Sequence, residues 1–156
     1  MEFIRNEMDW QLKSGRHTIL DCKIGKPAIY VGYGEESVDM YRGNYKIGDY
    51  VVERCPLSVT KITEGPEGIC LDMEGRLQMN VKVEGECATL SFERADPRIN
   101  RFWLRVDADE SECCYGCGEQ MSYFNLRGRH FPLWTSEPGV GRDKTTYVTW
   151  RSDVEN

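Results

Sequence analysis

The most restrictive feature of this 156-residue sequence is a strict alternation of apolar and polar residues near its middle. Along Arg76–Val83, the residues Leu77, Met79, Val81 and Val83 fall on one face, and polar residues fall on the other. Successive side chains of a β-strand point to opposite faces of a sheet. The period of two therefore predicts a half-buried strand rather than a helix.

Two neighbouring segments extend this pattern. Gly68–Met73 also alternates, and Ala88–Glu93 repeats the alternation on the other side. The joining segments Glu74-Gly75 and Glu84–Glu86 each contain a glycine, which can adopt the positive φ that tight turns need. Residues 68–93 are therefore predicted to form a three-stranded antiparallel meander. The expected inward positions of its last strand are Ala88, Leu90 and Phe92.

Short β-like runs separated by turn signals such as Gly65-Pro66 and Asp96-Pro97 fill the rest of the chain. No long window has a helical period, and Gly32–Gly34 or Arg42–Asn44 could form a single helical turn at most. We therefore predict one all-β domain over residues 1–156, an antiparallel β-sandwich with few or no helices. Its further strands are expected at Thr18–Lys23, Ala28–Tyr33, Tyr50–Cys55, Ser58–Thr63, Arg101–Val106, Arg129–Trp134 and Thr145–Trp150.

Composition excludes some partners and indicates a compartment. The net charge is −6, which disfavours a nucleic-acid phosphate backbone as partner. No run approaches the roughly 18 apolar residues of a membrane helix, and we predict no membrane partner. The charged first ten residues lack an apolar run, so no secretory signal peptide is expected. With seven cysteines, an odd number, a reduced cytoplasmic chain is the simplest interpretation.

The cysteines indicate no metal or cofactor. Cys114-x-x-Cys117, with Cys113 beside it, is half of a zinc knuckle, but a structural zinc ion needs four ligands. A redox Cys-x-x-Cys opens a helix beside a βαβ unit, and no such unit is evident. Structural thiols are therefore favoured over a zinc site or a redox pair. The remaining cysteines occur singly in strand-like segments, at Cys22, Cys55, Cys70 and Cys87.

Two other catalytic patterns are weak. Gly139–Thr145 is faintly similar to a phosphate-binding loop, but Asp143 stands where a glycine is required and no helix follows. The only histidines are His17 and His130, and no nucleophile motif accompanies either of them. A structural or surface role is therefore favoured for both histidines.

Glycines, aromatic rings and charges are concentrated in Gly116–Arg142. The carboxylates Glu119 and Glu137 lie in this stretch, and glycosidases use paired carboxylates, but sequence spacing does not establish pairing in space. Glu119 could instead accept hydrogen bonds from exposed backbone donors, or pair with Arg127 or Arg129. The aromatic residues could stack on sugar rings or fill a core or an interface. They are Tyr115, Tyr123, Phe124, Phe131 and Trp134.

Several motifs together resemble glycoside hydrolase family 31, and most closely its bacterial sulfoquinovosidase branch, which is often labelled α-glucosidase. The resemblance covers roughly residues 28–151 and is strongest after Arg101. Its motifs are Asp39–Asn44, Asn100–Arg105, Tyr115–Gln120, Ser122–Gly128, Phe131–Trp134, Gly139–Arg142 and Thr146–Trp150.

The resemblance implies a role without catalysis for this chain. Members of the family begin with a galactose-mutarotase-like supersandwich, and a (β/α)₈ barrel with two catalytic aspartates follows. Such a barrel takes about 250 residues, so we expect neither aspartate within these 156 residues. The chain is then the N-terminal domain of a retaining α-glycosidase, which supports the barrel and lends a loop to the substrate site.

Site residues follow by motif position. The acidic residue that approaches the sugar would be Glu137, where most relatives have aspartate, with Arg142 and Asp143 on the same loop. Tyr123, Phe131 and Trp134 would contact the sugar or the barrel. The implied partners are the barrel and an α-linked sugar. Without the barrel, an apolar face would be exposed, which predicts that the isolated chain self-associates or keeps this loop mobile. Its expected members are Phe124, Phe131, Leu133 and Trp134.

Two alternatives from other functional classes stay open. A free-standing carbohydrate-binding sandwich would use Trp134, Tyr123 and Glu137, although a shallow wall buries little ligand surface. A sugar epimerase of the mutarotase kind would need a general acid and a general base in one cleft, typically His and Glu. A chain with two histidines supplies that chemistry poorly.

Overall fold

A computed structural model of the chain describes residues 1–41, 44–66, 68–116, 124–129 and 149–152. Eleven strands and no helix lie within these ranges, which confirms the predicted all-β class. The strands are β1 (Glu2–Asn6), β2 (Asp9–Ser14), β3 (His17–Cys22), β4 (Ile29–Tyr41), β5 (Asn44–Pro56), β6 (Lys61–Gly65), β7 (Gly68–Met73), β8 (Leu77–Glu84), β9 (Cys87–Arg94), β10 (Arg101–Leu104) and β11 (Thr149–Ser152).

The strands form three sheets with the orders β1-β2-β3, β6-β7-β8-β9 and β10-β4-β5-β11. The first two sheets are antiparallel throughout. In the third sheet β10 runs antiparallel to β4, whereas β11 pairs with β5 in parallel. The prediction of antiparallel sheets is therefore confirmed apart from this β5–β11 pair.

The predicted meander at residues 68–93 is present as β7, β8 and β9. Met79 of β8 pairs with Leu71 on one side and Phe92 on the other. Glu74 and Gly75 both have positive φ, 55° and 62°, at the first turn, and Gly85 has φ 58° at the second. The register is therefore set by the turns that the sequence indicated.

Contacts divide the chain into two units, and the first comprises residues 1–33 and 52–108. Its core contains residues from β2, β3, the start of β4, β7 and β8, as expected when inner sheet faces pack together. Of the inward positions predicted for β8, Leu77, Met79 and Val81 are buried and Val83 is partly buried. Phe92 of β9 is 37% exposed and packs on Phe102, with ring centroids 4.6 Å apart. The core residues are Trp10, Leu12, Leu20, Cys22, Ala28, Ile29, Val31, Leu57, Val59, Leu71, Met73, Leu77, Met79, Val81 and Ile99.

The second unit comprises residues 34–51 and 109–156. It contains the distal part of β4, most of β5, and β11. Among the residues described in the segment after Asp109, Leu126 is buried, with 5% of its surface exposed. That residues 1–156 form a single domain stays a prediction.

Some predicted strand limits were wrong for identifiable reasons. Gly32–Gly34 lies inside β4 rather than in a helical turn. Ser58 and Thr60 precede β6, because the Ser58 amide donates to the Glu74 side chain and the Thr60 amide donates to the Asp72 carbonyl. Strands β1 and β2 were not predicted. β10 ends at Leu104 rather than Val106.

The strand predicted at Arg129–Trp134 is not seen at its first residue. The Arg129 amide donates to the Leu126 carbonyl at 3.0 Å, which is a turn bond. Residues 130–134 and 145–148 lie outside the described part of the chain. In the part that is described, no helix has the length and apolar character needed to cross a membrane.

Candidate functional site

The site residues predicted from the resemblance lie outside the described part of the chain. They therefore stay predictions, as do the roles considered for Cys117, Glu119 and His130. The predicted site residues are Tyr123, Phe131, Trp134, Glu137, Arg142 and Asp143.

Asn125 organises the described part of the Gly116–Arg142 stretch. Its Oδ1 atom accepts from the amides of Cys114 and Arg127, both at 3.1 Å. The Leu126 amide also donates to the Cys114 carbonyl at 2.7 Å. Asparagine side chains commonly bond nearby backbone amides in this way. These bonds tie together the two chain ends that flank residues 117–123.

Glu112 and Arg127 strengthen the same loop. Arg127 donates through Nη1 to the Glu112 carbonyl at 2.7 Å. The Glu112 amide donates to the Asp109 carbonyl at 3.0 Å, and the Glu112 carboxylate accepts from the Asp109 amide at 3.1 Å. Arg127 therefore has a backbone partner, and its predicted pairing with Glu119 stays a prediction. Leu126 is buried beside these bonds.

An exposed pair of aromatic rings lies at this loop. The rings of Tyr115 and Phe124 are 4.9 Å apart between centroids and tilted by 46°. Tyr115 is 56% exposed and Phe124 is 86% exposed. Aromatic surface left this open is typical of residues that contact a ligand or another protein surface.

A second cluster lies in the first unit, where β4, β5 and β10 meet. Trp103 pairs directly with Tyr30 across the β4–β10 ladder. The guanidinium carbon of Arg54 lies 4.6 Å from the Tyr30 ring centroid and 5.0 Å from the Trp103 ring. Arg105 lies 5.7 Å from the Tyr30 ring centroid, and its Nη1 donates to the Tyr30 hydroxyl at 3.0 Å. We call these four residues the arginine–aromatic surface.

The absence of a side chain at Gly32 allows the Glu53 backbone and the Trp103 ring to approach β4 closely. A Cβ atom at Gly32 would overlap the Glu53 carbonyl and lie 3.1 Å from Cζ3 of Trp103. The Asn100 amide donates to the Gly32 carbonyl at 3.1 Å, which joins the Asn100–Arg105 motif to β4. The Asn100–Arg105 motif was identified in the sequence. The contact of its Trp103 with Arg54 could not be predicted, because Arg54 is distant along the chain.

A third group of charged residues lines a pocket of about 260 Å³ next to Gly32. Arg76 Nη2 lies 3.0 Å from Glu53 Oε1, and Arg98 Nη2 lies 2.9 Å from Asp96 Oδ2. The Cys55 thiol and the Arg76 guanidinium, which both donate to Glu53, lower the pKa of that carboxylate. Each carboxylate therefore faces a guanidinium and stays ionised, which suits structural ion pairs better than general acid catalysis.

Neither a reactive-thiol site nor a metal site is found among the described residues. Burial raises the pKa of the Cys22 thiol, so this cysteine is an unreactive core residue. Cys113 and Cys114 are exposed. Within the described ranges, no three His, Cys, Asp or Glu residues lie close enough together to hold a metal ion.

Comparison with known proteins gives matches along the whole chain. No family profile matches. The chain is 44% identical over 154 residues to a sulfoquinovosidase of Agrobacterium fabrum and 37% identical over 160 residues to a sulfoquinovosidase of Escherichia coli. These alignments cover 99% of this chain but only 23% and 24% of the relatives.

A solved structure matches over the same extent. It is a GH31 family sulfoquinovosidase from E. rectale in complex with the aza-sugar inhibitor IFGSQ. The TM-score is 0.84 and the sequence identity is 58%, over 100% of this chain and 23% of that chain. The chain thus spans about a quarter of the length of the proteins that it matches.

Proposed function

We propose that this chain, which corresponds to the N-terminal β domain of glycoside hydrolase family 31 sulfoquinovosidases, is the non-catalytic domain of a retaining α-glycosidase. In this role it supports the catalytic barrel and lends a loop to the substrate site. The observation that carries the proposal is the match of the entire chain, at 58% identity, to about a quarter of one sulfoquinovosidase.

The size and class of the chain agree with a supporting role. A catalytic (β/α)₈ barrel takes about 250 residues and alternates strands with helices. These 156 residues are too few for such a barrel. The regular secondary structure of the described residues consists of β-strands, without a helix. The galactose-mutarotase-like form of the sandwich belongs to this proposal as well.

The proposed substrate loop carries Glu137, Arg142 and Asp143. Support for it comes from the segment that precedes it in the sequence, where Asn125 accepts from two backbone amides. The exposed Tyr115–Phe124 pair offers aromatic surface of the kind that sugar rings or a barrel rim would cover. Tyr123, Phe131 and Trp134 are the further residues proposed to contact the sugar or the barrel.

The compartment proposed is the cytoplasm. Cys22, Cys55, Cys70, Cys87, Cys113 and Cys114 are all free thiols. Free thiols persist in reducing compartments, whereas exported proteins tend to oxidise them to disulfides.

A chimera tests the proposal. Residues 1–156 would replace the matching segment of the Agrobacterium fabrum enzyme, and hydrolysis of a chromogenic α-sulfoquinovoside would be measured. We expect kcat/KM within roughly tenfold of the parent enzyme, because the domain-to-barrel geometry is retained. The parent enzyme with that segment deleted is the control. A folded chimera without activity, or turnover by the isolated chain, would contradict the proposal.

The proposed role of Glu137 is tested in the same chimera. Glu137→Gln is expected to lower kcat/KM by about ten- to a hundredfold, since a charged hydrogen bond to the sugar is lost. Glu137→Asp keeps the carboxylate and should lose less. Glu110→Gln, an exposed carboxylate in the described part of the chain, is the matched control. Equal activity of Glu137→Gln and Glu110→Gln would remove Glu137 from the site.

A free-standing sugar-binding module is the second candidate, and the exposed Tyr115–Phe124 pair favours it. Titration of the isolated chain with α-sulfoquinovosides and α-glucosides separates the two functions. Saturable binding in the micromolar range would favour the module. Weak or absent binding would favour the barrel-supporting domain, because one open wall buries little of a sugar.

A further inference from the structure

Arg54 and Arg105 differ from Arg76 and Arg98 of the first unit in their partners. Arg76 and Arg98 each face a carboxylate within 3.0 Å. Arg54 contacts two aromatic rings and Arg105 contacts one ring and one hydroxyl, and neither has a carboxylate partner among the described residues. The chain has 26 acidic and 20 basic side chains, so two exposed arginines at one Tyr30 ring, without an acidic partner among the described residues, need an explanation.

Contacts with the aromatic rings restrain these two guanidinium groups, while most of their N–H donors have no partner among the described residues. A guanidinium has five N–H donors in its plane, and ring stacking uses its face instead. Arg105 donates one of its N–H groups to Tyr30, and Arg54 donates to none of the described residues. Both arginines are exposed. The arginine–aromatic surface is thus prepared to receive carboxylates edge-on, with little side-chain entropy left to lose on binding.

We propose that the arginine–aromatic surface is the docking face for a carboxylate-bearing segment of the remaining enzyme. That segment belongs to the roughly three quarters of the relatives' length that this chain does not cover. The inference rests on the proposed function and adds to it the chemical groups by which this domain would contact the rest of the enzyme. Charge complementarity is the argument, because two neighbouring cations that have no acidic partner in the described part of the chain favour acidic partners.

The residue types of the arginine–aromatic surface favour a protein partner over a small anion. Arginine, tyrosine and tryptophan are the residues in which binding energy at protein interfaces is concentrated. Both guanidinium groups are exposed, so a small anion there would keep much of its hydration, and its attraction would be weak in water. A protein surface would exclude that water and lower the local dielectric constant, which strengthens the attraction within each charged hydrogen bond.

The first experiment is a footprint with the arginine reagent phenylglyoxal, on the isolated chain and on the chimera. We expect Arg54 and Arg105 to react in the isolated chain and to become at least about tenfold slower in the chimera, as buried hot-spot residues do. Arg5 and Arg16 are exposed and serve as internal controls, with unchanged rates. Equal reactivity of Arg54 and Arg105 in both proteins would overturn the inference.

The second experiment compares two charge-matched double variants in the chimera. Arg54→Gln/Arg105→Gln should speed thermal inactivation about tenfold or more, because docked carboxylates lose their partners. Arg5→Gln/Arg16→Gln removes the same charge elsewhere and should change little. Arg54→Lys/Arg105→Lys should recover only part of the loss, since lysine has no planar fork. The same variants in the isolated chain measure any effect on its own folding, which is subtracted.

The outcomes separate this inference from the proposed function. An active chimera with unprotected arginines overturns the docking face and leaves the proposed function standing. An inactive but folded chimera overturns both. Protection of Arg54 and Arg105 in the isolated chain by inorganic sulfate or by an α-sulfoquinovoside at micromolar concentration would identify an anion site and overturn the docking face. The footprint needs no substitution, so misfolding of a variant leaves the inference testable.

Discussion

Arg98 holds Asp96 through two parallel side-chain bonds, from Nε to Oδ1 at 3.1 Å and from Nη2 to Oδ2 at 2.9 Å. The Arg98 amide also donates to Oδ1 at 3.0 Å, and Arg76 Nε lies 3.6 Å from Oδ2. The Arg98 side chain and backbone together lower the pKa of Asp96 to about 2. Bidentate pairs of this kind fix a turn more firmly than single contacts do.

Asp96→Asn is therefore expected to destabilise the chain in a pH-dependent manner. Because the folded-state pKa lies below the ordinary value of 3.8, the carboxylate stabilises the fold fully above about pH 4. This contribution is lost as the pH falls through about 2. The difference in unfolding free energy between wild type and variant should thus shrink from pH 5 to pH 2, measured by urea unfolding at each pH.

Glu93→Gln is the matched control for this experiment, since Glu93 is exposed and has no ion pair with another described residue. Its stability difference from wild type should stay small at all pH values. A difference for Asp96→Asn that stays constant down to pH 2 would contradict the ion-pair interpretation. Direct NMR titration of the Asp96 carboxyl carbon gives an independent midpoint, expected near 2.

Met79 tests the central strand of the meander. Its side chain is 0% exposed, between the paired residues Leu71 and Phe92. Met79→Ala should lower the unfolding free energy by about 2–5 kcal/mol, because burial is lost and a cavity remains. Asn80 is the next residue and is exposed, so Asn80→Ala should change stability by less than roughly 0.5 kcal/mol. Similar urea midpoints for both variants would contradict the assigned faces of β8.

How far the sequence predicted the fold is seen by comparing β8 with β1. β8 was predicted because four apolar residues alternate along its sequence. The alternation reflects burial, since three of the four side chains lie in the core of the first unit. β1 was missed because four of its five residues are exposed and only Phe3 is partly buried, so burial imposes no period on its sequence. The signal for β2 was present in the alternation of Trp10 and Leu12, but it covers only two apolar positions.

Candidate site residues could be predicted from the sequence only where they lie in short local motifs. Asn125 lies inside a motif of the family resemblance, and local bonds of asparagine to nearby amides follow from its chemistry. The stacking of Arg54 on Tyr30 and Trp103 depends on three separate segments that the sheet brings together, so no local pattern could indicate it. The resemblance located Glu137 by motif position alone, and its role stays a prediction.

Gly32 tests the close approach of β5 and Trp103 to β4. An added Cβ atom would overlap the Glu53 carbonyl, which is backbone and moves only with its strand. Gly32→Ala should therefore cost about 1–3 kcal/mol, as overpacked positions do, and shift the fluorescence of the adjacent Trp103. Gly65→Ala is the control, because no atom lies within 4 Å of its Cβ position. Unfolding curves that coincide for the two variants would contradict the close approach.

Asn125 tests the loop in which its side chain joins Cys114 to Arg127. Asn125→Ala removes the acceptor for the Cys114 and Arg127 amides, and losing one net hydrogen bond of about 1 kcal/mol corresponds to roughly fivefold. Hydrogen exchange at these two amides should thus become about fivefold faster or more. Asn125→Asp keeps an oxygen acceptor at the same position and should restore slow exchange. Fast exchange in Asn125→Asp, or unchanged exchange in Asn125→Ala, would show that another contact closes the loop.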